Sequence, residues 1–181
     1  MKVVTGQNKR GGWRGEAVFS RCGRFRYALS RTWNDASAGK LVNFIMLNPS
    51  TADAMKNDPT VERCCKRAQT LGFERLIVTN IFALRSTDPA ALYAATDAVG
   101  PKNDKYIGEV AEKADIVVCA WGNHGVHLGR GDTVNQILSL KVQNKVYRLG
   151  RLTQAQQPRH PLYVSYLERL VMHEVMVNLA R

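Results

Sequence analysis

Four short apolar runs, separated by segments with helical patterning, constrain this chain to an α/β fold. The runs are Leu41–Leu47, Leu76–Thr79, Ile116–Ala120 and Lys145–Leu149. Consecutive apolar residues over so short a length describe strands buried on both faces. Asp58-Pro59 opens the first helix, with Asp58 as the cap and Pro59 at the first helical position. Val61, Cys64, Cys65, Ala68 and Leu71 form its apolar stripe, and Gly72 ends it. Asp88-Pro89 opens a short helix to about Ala94, Gly100-Pro101 opens another carrying Ile107, Val110, Ala111 and Ala114, and a fourth lies around Thr133–Leu140. Strands alternating with helices pair in parallel through right-handed crossovers. The expected architecture is a three-layer α/β/α sandwich with a four-stranded parallel central sheet. An N-terminal β-hairpin is added from Glu16–Arg21 and Arg24–Arg31, turning at Cys22-Gly23. Residues 1–14 read as a loose basic lead-in and Asn34–Lys40 as a small-residue loop. Ser165–Ala180 reads as a closing amphipathic helix with Leu167, Leu170, Val171 and Val175 facing inward. The 181 residues fit one domain.

Each apolar run is followed by a polar or aromatic motif. These are Asn48-Pro49-Ser50-Thr51, Asn80, Trp121-Gly122-Asn123-His124 and Arg159-His160-Pro161-Leu162-Tyr163. In open α/β sheets ligands bind outside the carboxyl ends of the strands, so four distant segments point to one cleft. Pro49 holds Asn48 extended, with its amide free for a water or a base edge; Ser50 and Asp53 also have the spacing of a capping box. Asn80 ends a strand, where Asn is disfavoured, so its carboxamide needs a specific partner: a base edge or loop backbone. Gly122 allows close backbone approach, and Trp121 reads either as a base-stacking surface or as sheet packing. Pro158 and Pro161 bracket Arg159 and His160, presenting the imidazole rigidly to a carbonyl oxygen that gains charge. Amides and an imidazole suit a neutral hydrogen-bonding ligand such as a nucleobase better than a metal. His124 and His127 lack a third ligand at useful spacing, so neither metal nor cofactor is expected.

Lys and Arg total 26 against 15 acidic residues, a formal net charge of +11 that favours polyanionic partners, nucleic acid or a phosphorylated ligand. The densest basic stretch holds Lys9, Arg10, Arg14, Arg21, Arg24, Arg26 and Arg31, interleaved with Trp13, Phe25, Tyr27 and Trp33. That mixture suits single-stranded nucleic acid, and edge-strand protection by positive charge accounts for it as well. Arg24, Arg26 and Arg85 are the candidate phosphate contacts. Cys22, Cys64, Cys65 and Cys119 have neither zinc-finger nor redox spacing and read as reduced thiols of a cytoplasmic protein. No run has membrane length.

Phe19-Ser20-Arg21-Cys22-Gly23, Met46–Asp53, Asn80-Ile81-Phe82-Ala83, Gly100–Asp104, Ala120-Trp121-Gly122 and Arg159–Tyr163 together resemble a bacterial and phage family catalogued as a domain of unknown function, over roughly residues 16 to 164. More distantly, the motif order resembles the uracil-DNA glycosylase superfamily. That resemblance implies a water-positioning Asn48-Pro49 loop with Ser50 and Thr51 beside the ligand. It implies a base-reading Asn80, a Trp121-Gly122 pair after the third strand, and a His160-Pro161 loop after the fourth, flanked by Arg159. It departs from that pattern where Leu162-Tyr163 follow the His loop and Ser50-Thr51 replace a glycine-rich segment. Three readings stay open: hydrolysis of an N-glycosidic bond to a base in DNA, non-catalytic binding of a nucleotide or nucleotide-derived signal, and a basic nucleic-acid or protein interaction module.

Overall fold

The computed structural model describes residues 1–33, 38–88 and 90–175. Among these residues the chain folds as an α/β protein around one mixed sheet of eight strands. The strands are β1 (Lys2–Asn8), β2 (Trp13–Phe19), β3 (Arg26–Trp33), β4 (Leu41–Met46), β5 (Arg75–Asn80), β6 (Ile116–Cys119), β7 (Val146–Leu149) and β8 (Leu170–Met172). The helices are α1 (Pro59–Thr70), α2 (Ala90–Ala94), α3 (Asn103–Lys113) and α4 (Arg130–Lys141). The four expected apolar strands are the middle of the sheet: β5, β4, β6 and β7 pair in parallel, in that order.

The sheet is larger and more mixed than the expected four strands. β2 and β3 form the expected hairpin, and β3 continues the sheet antiparallel to β5. The basic lead-in is in fact strand β1, paired with β2 from Lys2↔Phe19 to Asn8↔Trp13. Its residues are exposed or half-buried throughout, so it carries no apolar pattern and is held by backbone hydrogen bonds along β2. Over residues 165–175 the expected closing helix is replaced by turns and β8, which runs antiparallel to β7 and covers its outer edge. Leu167, expected inward, is 92% exposed and Val171 40% exposed. Over residues 165–175 the helical spacing thus loses to strand pairing along an open sheet edge, where backbone groups need partners. Residues 34–37 of the small-residue loop, Pro89 and 176–180 of the expected helix lie outside the described residues.

The period-2 alternation of β4 divides the core between the two faces of the sheet. Leu41 and Ile45 join Ile107 and Ala111 of α3 and Val134 and Leu138 of α4. Val42, Phe44 and Met46 join Val61, Cys64, Cys65 and Ala68 of α1. Cys64, Cys65 and Cys119 are buried free thiols and Cys22 is exposed. No helix among the described residues is long and apolar enough to cross a membrane.

Candidate functional site

At the carboxyl ends of β4, β5, β6 and β7 lies a cleft of about 790 Å³. Asn48, Ser50 and Thr51 line it after β4, Asn80 ends β5, Trp121, Gly122, Asn123 and His124 follow β6, and Arg159, His160, Leu162 and Tyr163 follow β7. Residues from other elements line it as well, among them Arg26 of β3 and Asp58, the cap of α1. The two asparagines and the imidazole, far apart in sequence, therefore share the walls of one cavity.

Asn48 is half-buried, and its amide is engaged rather than free. Nδ2 donates to Ser86 O at 2.9 Å and Pro49 O at 3.2 Å. The Asn48 carboxamide oxygen accepts no hydrogen bond among the described residues, so the group offers an acceptor. Pro49 is buried outside the cleft lining, and its carbonyl also accepts from Ser86 N at 2.9 Å. The capping box expected from Ser50 and Asp53 does not form. Asp53 Oδ1 instead closes a local turn by accepting from Met55 N at 2.8 Å and Lys56 N at 2.9 Å. The helix cap is Asp58, whose Oδ1 accepts from Val61 N at 2.8 Å and whose Oδ2 accepts from Ala52 N at 3.4 Å. Asp58 is only 9% exposed and makes no ion pair among the described residues. A carboxylate has about four acceptor sites, so two remain open on this one.

Asn80 is buried, and its Oδ1 accepts from Arg26 Nη2 at 3.4 Å. Asn103 holds the backbone at this point, donating from Nδ2 to Asn80 O at 2.8 Å and Ile81 O at 3.1 Å. Arg26 is not the surface phosphate contact expected from the basic hairpin. It is 2% exposed, on the floor of the cleft, with Nη1 donating to Ala52 O at 2.7 Å. Burial lowers its pKa to about 10, partly offset by the negative charge of Asp58, so it stays cationic at neutral pH. Arg24 and Arg85 are exposed and are not among the residues that line the cleft; they lie over the rings of Phe25 and Phe19, with Arg85 Nη1 donating to Gly23 O at 3.2 Å. The hairpin aromatics Trp13, Phe25, Tyr27 and Trp33 are core side chains rather than an exposed stacking surface.

Trp121 is 1% exposed and its indole Nε1 donates to Gln157 Oε1 at 2.7 Å, so most of the ring belongs to the core. Gly122 has φ 75°, and a side chain there would bring its Cβ to 3.3 Å from the His160 Cβ. Glycine at 122 thus lets the His160 loop close against the end of β6, where Gly122 N donates to Pro158 O at 2.8 Å. Two arginines of α1 hold that loop from the other side. Arg63 donates to Pro161 O at 2.9 Å and Val164 O at 2.7 Å, and Arg67 to Val164 O at 2.8 Å and Ser165 O at 2.7 Å. Arg159 pairs with Glu168 at 3.4 Å and donates to Tyr163 O at 3.2 Å.

His160 Nδ1 accepts from Leu162 N at 3.4 Å. In the neutral ring the proton therefore sits on Nε2, leaving an N–H donor. Burial lowers the His160 pKa to about 4, with Asp58 opposing and His124 assisting the shift. Burial does the same to His173, also to about 4. The unfolded chain takes up protons at both positions below the ordinary His pKa of about 6.5, while the folded chain resists until near pH 4. Their contribution to stability is therefore complete above about pH 6.5 and falls as pH drops toward 4. Histidine-selective NMR should show both rings neutral from pH 5 upward and titrating near pH 4; an ordinary midpoint for His160 would mean its ring is solvated.

Sequence reasoning missed Arg26 as a cleft residue and recognised Asp58 only as a helix cap. The available signal for Asp58 was its place ten residues after Asn48, at the first helical turn behind that motif. Among the described residues no group of three or more His, Cys, Asp or Glu side chains could hold a metal ion.

The fold and cleft define an α/β domain that gathers amide, imidazole, carboxylate and guanidinium groups at the carboxyl ends of parallel strands. The chain belongs to the family described as Protein of unknown function (DUF1643), whose model matches residues 26–162. No curated protein and no solved structure matches the chain.

Proposed function

We propose that this protein binds a nucleobase in the cleft and hydrolyses the N-glycosidic bond that joins it to DNA, on a uracil-DNA glycosylase-like scaffold. The observation that carries this reading is the convergence of Asn48, Asn80 and His160, from three separate strand ends, on one cavity. The parallel pairing of β5, β4, β6 and β7 supports the scaffold. In this reading the open Asn48 Oδ1 holds a water, and Asp58 takes its proton as the water oxygen bonds to the sugar anomeric carbon. The carbon–nitrogen bond breaks, its electron pair leaves with the base, and the charge that develops on a base carbonyl is met by the His160 Nε2–H donor. A neutral imidazole is suited to that step, because its donor needs no protonation. The base reaches the cleft by leaving the stack, and the net charge of +11 favours DNA as the partner.

The test is incubation with labelled duplexes and single strands carrying uracil, mismatched or modified bases, followed by alkaline strand scission. Abasic product from the native protein, reduced at least about tenfold in Asn48→Ala, is the expected result. Absence of product from every strand would remove the hydrolytic step, and absence of any nucleobase binding would remove the reading as a whole.

A further inference from the structure

We infer that the chain carries a second binding site, a cavity of about 500 Å³ beside the head of α1 that takes a phosphate group. The inference does not depend on the reading of the cleft. Lys56, Asn57 and Glu62 line this cavity, whereas Asp58, Pro59, Thr60 and Val61 line the cleft, so the two share the helix head without sharing a side chain.

Its donors come from the hairpin. Trp13 and Trp33 stand directly opposite each other across β2 and β3, so both indoles leave the same face of the sheet. Each is buried, and a buried indole N–H ordinarily finds an acceptor, as that of Trp121 does in Gln157 at 2.7 Å. Those of Trp13 and Trp33 have no acceptor among the described residues. The buried side-chain atoms left without partners belong instead to Arg26, Asn43, Arg67 and Asn103. These two N–H groups therefore meet solvent, and the cavity is the open space that both residues line. Gly11 keeps the approach clear, because a Cβ there would run into Trp13 Nε1.

The charge around these donors is positive. Arg10 and Lys56 are exposed at the cavity and make no ion pair among the described residues. Behind the wall, the buried Arg31 guanidinium lies 3.9 Å from the Trp13 ring centre. It donates only to neutral oxygens, the carbonyls of Ser30, Asp53 and Lys56 and the Asn57 carboxamide. Burial lowers its pKa to about 10, so it stays cationic at neutral pH. Cys65 adds no charge, because burial pushes its thiol up to about 12. Glu62 is the single carboxylate among the lining residues, and its Oε2 already accepts from Asn57 Nδ2 at 2.8 Å. Donors that converge from several elements, under an excess of positive charge, suit an anion whose oxygens point several ways. A tetrahedral phosphate has that shape and a planar carboxylate does not. The cavity exceeds a phosphate alone and leaves room for the nucleoside or strand that carries it.

The three tryptophans make the test direct, since ¹⁵N labelling gives one indole N–H signal for each. Inorganic phosphate and an oligothymidylate without a terminal phosphate are titrated separately at low salt, beside acetate and chloride at matched ionic strength. The Trp13 and Trp33 signals are expected to move together along one saturating curve with at least one of the two phosphates, and with neither control. Saturation by inorganic phosphate alone assigns a free or terminal phosphate; saturation by the oligonucleotide assigns a phosphodiester of a strand. Trp121 lies in the cleft wall and reports that site separately. Arg10→Gln combined with Lys56→Gln removes two exposed cations, leaves the core untouched and should weaken the binding at least about tenfold. Movement no greater than with chloride or acetate would overturn the inference, as would an unchanged affinity in the double variant. A shift of Trp121 alone would overturn it too, while leaving the nucleobase reading standing.

Discussion

Asp58→Asn is expected to reduce base release at least about a hundredfold while leaving the fold and nucleobase binding intact. The expectation follows from the two jobs that one side chain performs. As the cap of α1, Asp58 accepts from Val61 N, a bond that asparagine keeps; the amide NH₂ would then face Ala52 N–H, now bonded to the second carboxylate oxygen, so a stability loss of about 1–3 kcal/mol is expected without loss of the fold. As the carboxylate of the cleft, Asp58 is the group to which this reading gives the proton from water. Asn48 is not basic, and the Nδ1 of His160 is occupied by Leu162 N–H. A general base contributes typically about 10²–10⁴ in rate, and asparagine contributes none of it. The measurement is abasic-site formation together with thermal unfolding and nucleoside titration. A rate within about threefold of native, with the protein folded, would place proton transfer elsewhere. Loss of rate together with collapse of the fold would point to Asp58 as structure only.

The second large effect is expected from Arg63→Ala combined with Arg67→Ala. Four guanidinium hydrogen bonds to three carbonyls, those of Pro161, Val164 and Ser165, disappear together. Their removal leaves carbonyls without partners, and hydrogen bonds to charged groups are worth about 1.5–3 kcal/mol each, shared donors counting for less than their sum. A loss of about 2–4 kcal/mol is expected in urea unfolding. The more telling readout is local. With its loop released and water admitted, His160 should titrate closer to the ordinary histidine value than to its native value of about 4. His173, buried elsewhere against Asn135, should stay near 4 and serves as the internal control. If His160 kept its low pKa in the double variant, α1 would not be what positions it. Lysine at either position should restore little, because a single ammonium cannot bridge two carbonyls as the planar guanidinium does.

The residues that could be read from sequence were those whose surroundings repeat along the chain. β4, β5, β6 and β7 are buried on both faces and so appear as apolar runs. Their parallel pairing puts Asn48, Asn80, Trp121 and His160 at one end of the sheet. β1 was hidden because its inner face, Val4, Gly6 and Asn8, is only half-buried and carries a single apolar side chain, so no apolar alternation marks it. β8 was hidden because its helical spacing competes with an open edge of β7 that only the folded sheet provides. Arg26 was misassigned for a related reason. Its partners, Ala52 and Asn80, lie 26 and 54 residues away, and locally it looks like one more cation in a basic hairpin. Asp58 shows the opposite case: its local role as a cap was sufficient to explain it, and that sufficiency concealed its place in the cleft.

The return of the chain along β7 bears on where this domain can be cut. The family match ends at residue 162, yet the carbonyls of Val164 and Ser165 that α1 grips lie beyond it, as does the strand that shields β7. A fragment trimmed to the matched segment would keep the imidazole and lose three of the four guanidinium hydrogen bonds that moor its loop, and it would bare a sheet margin open to pairing with other chains. The unit that must travel together in any transplant or truncation therefore runs through His173, whose backbone N–H closes onto Val146 O at 2.9 Å.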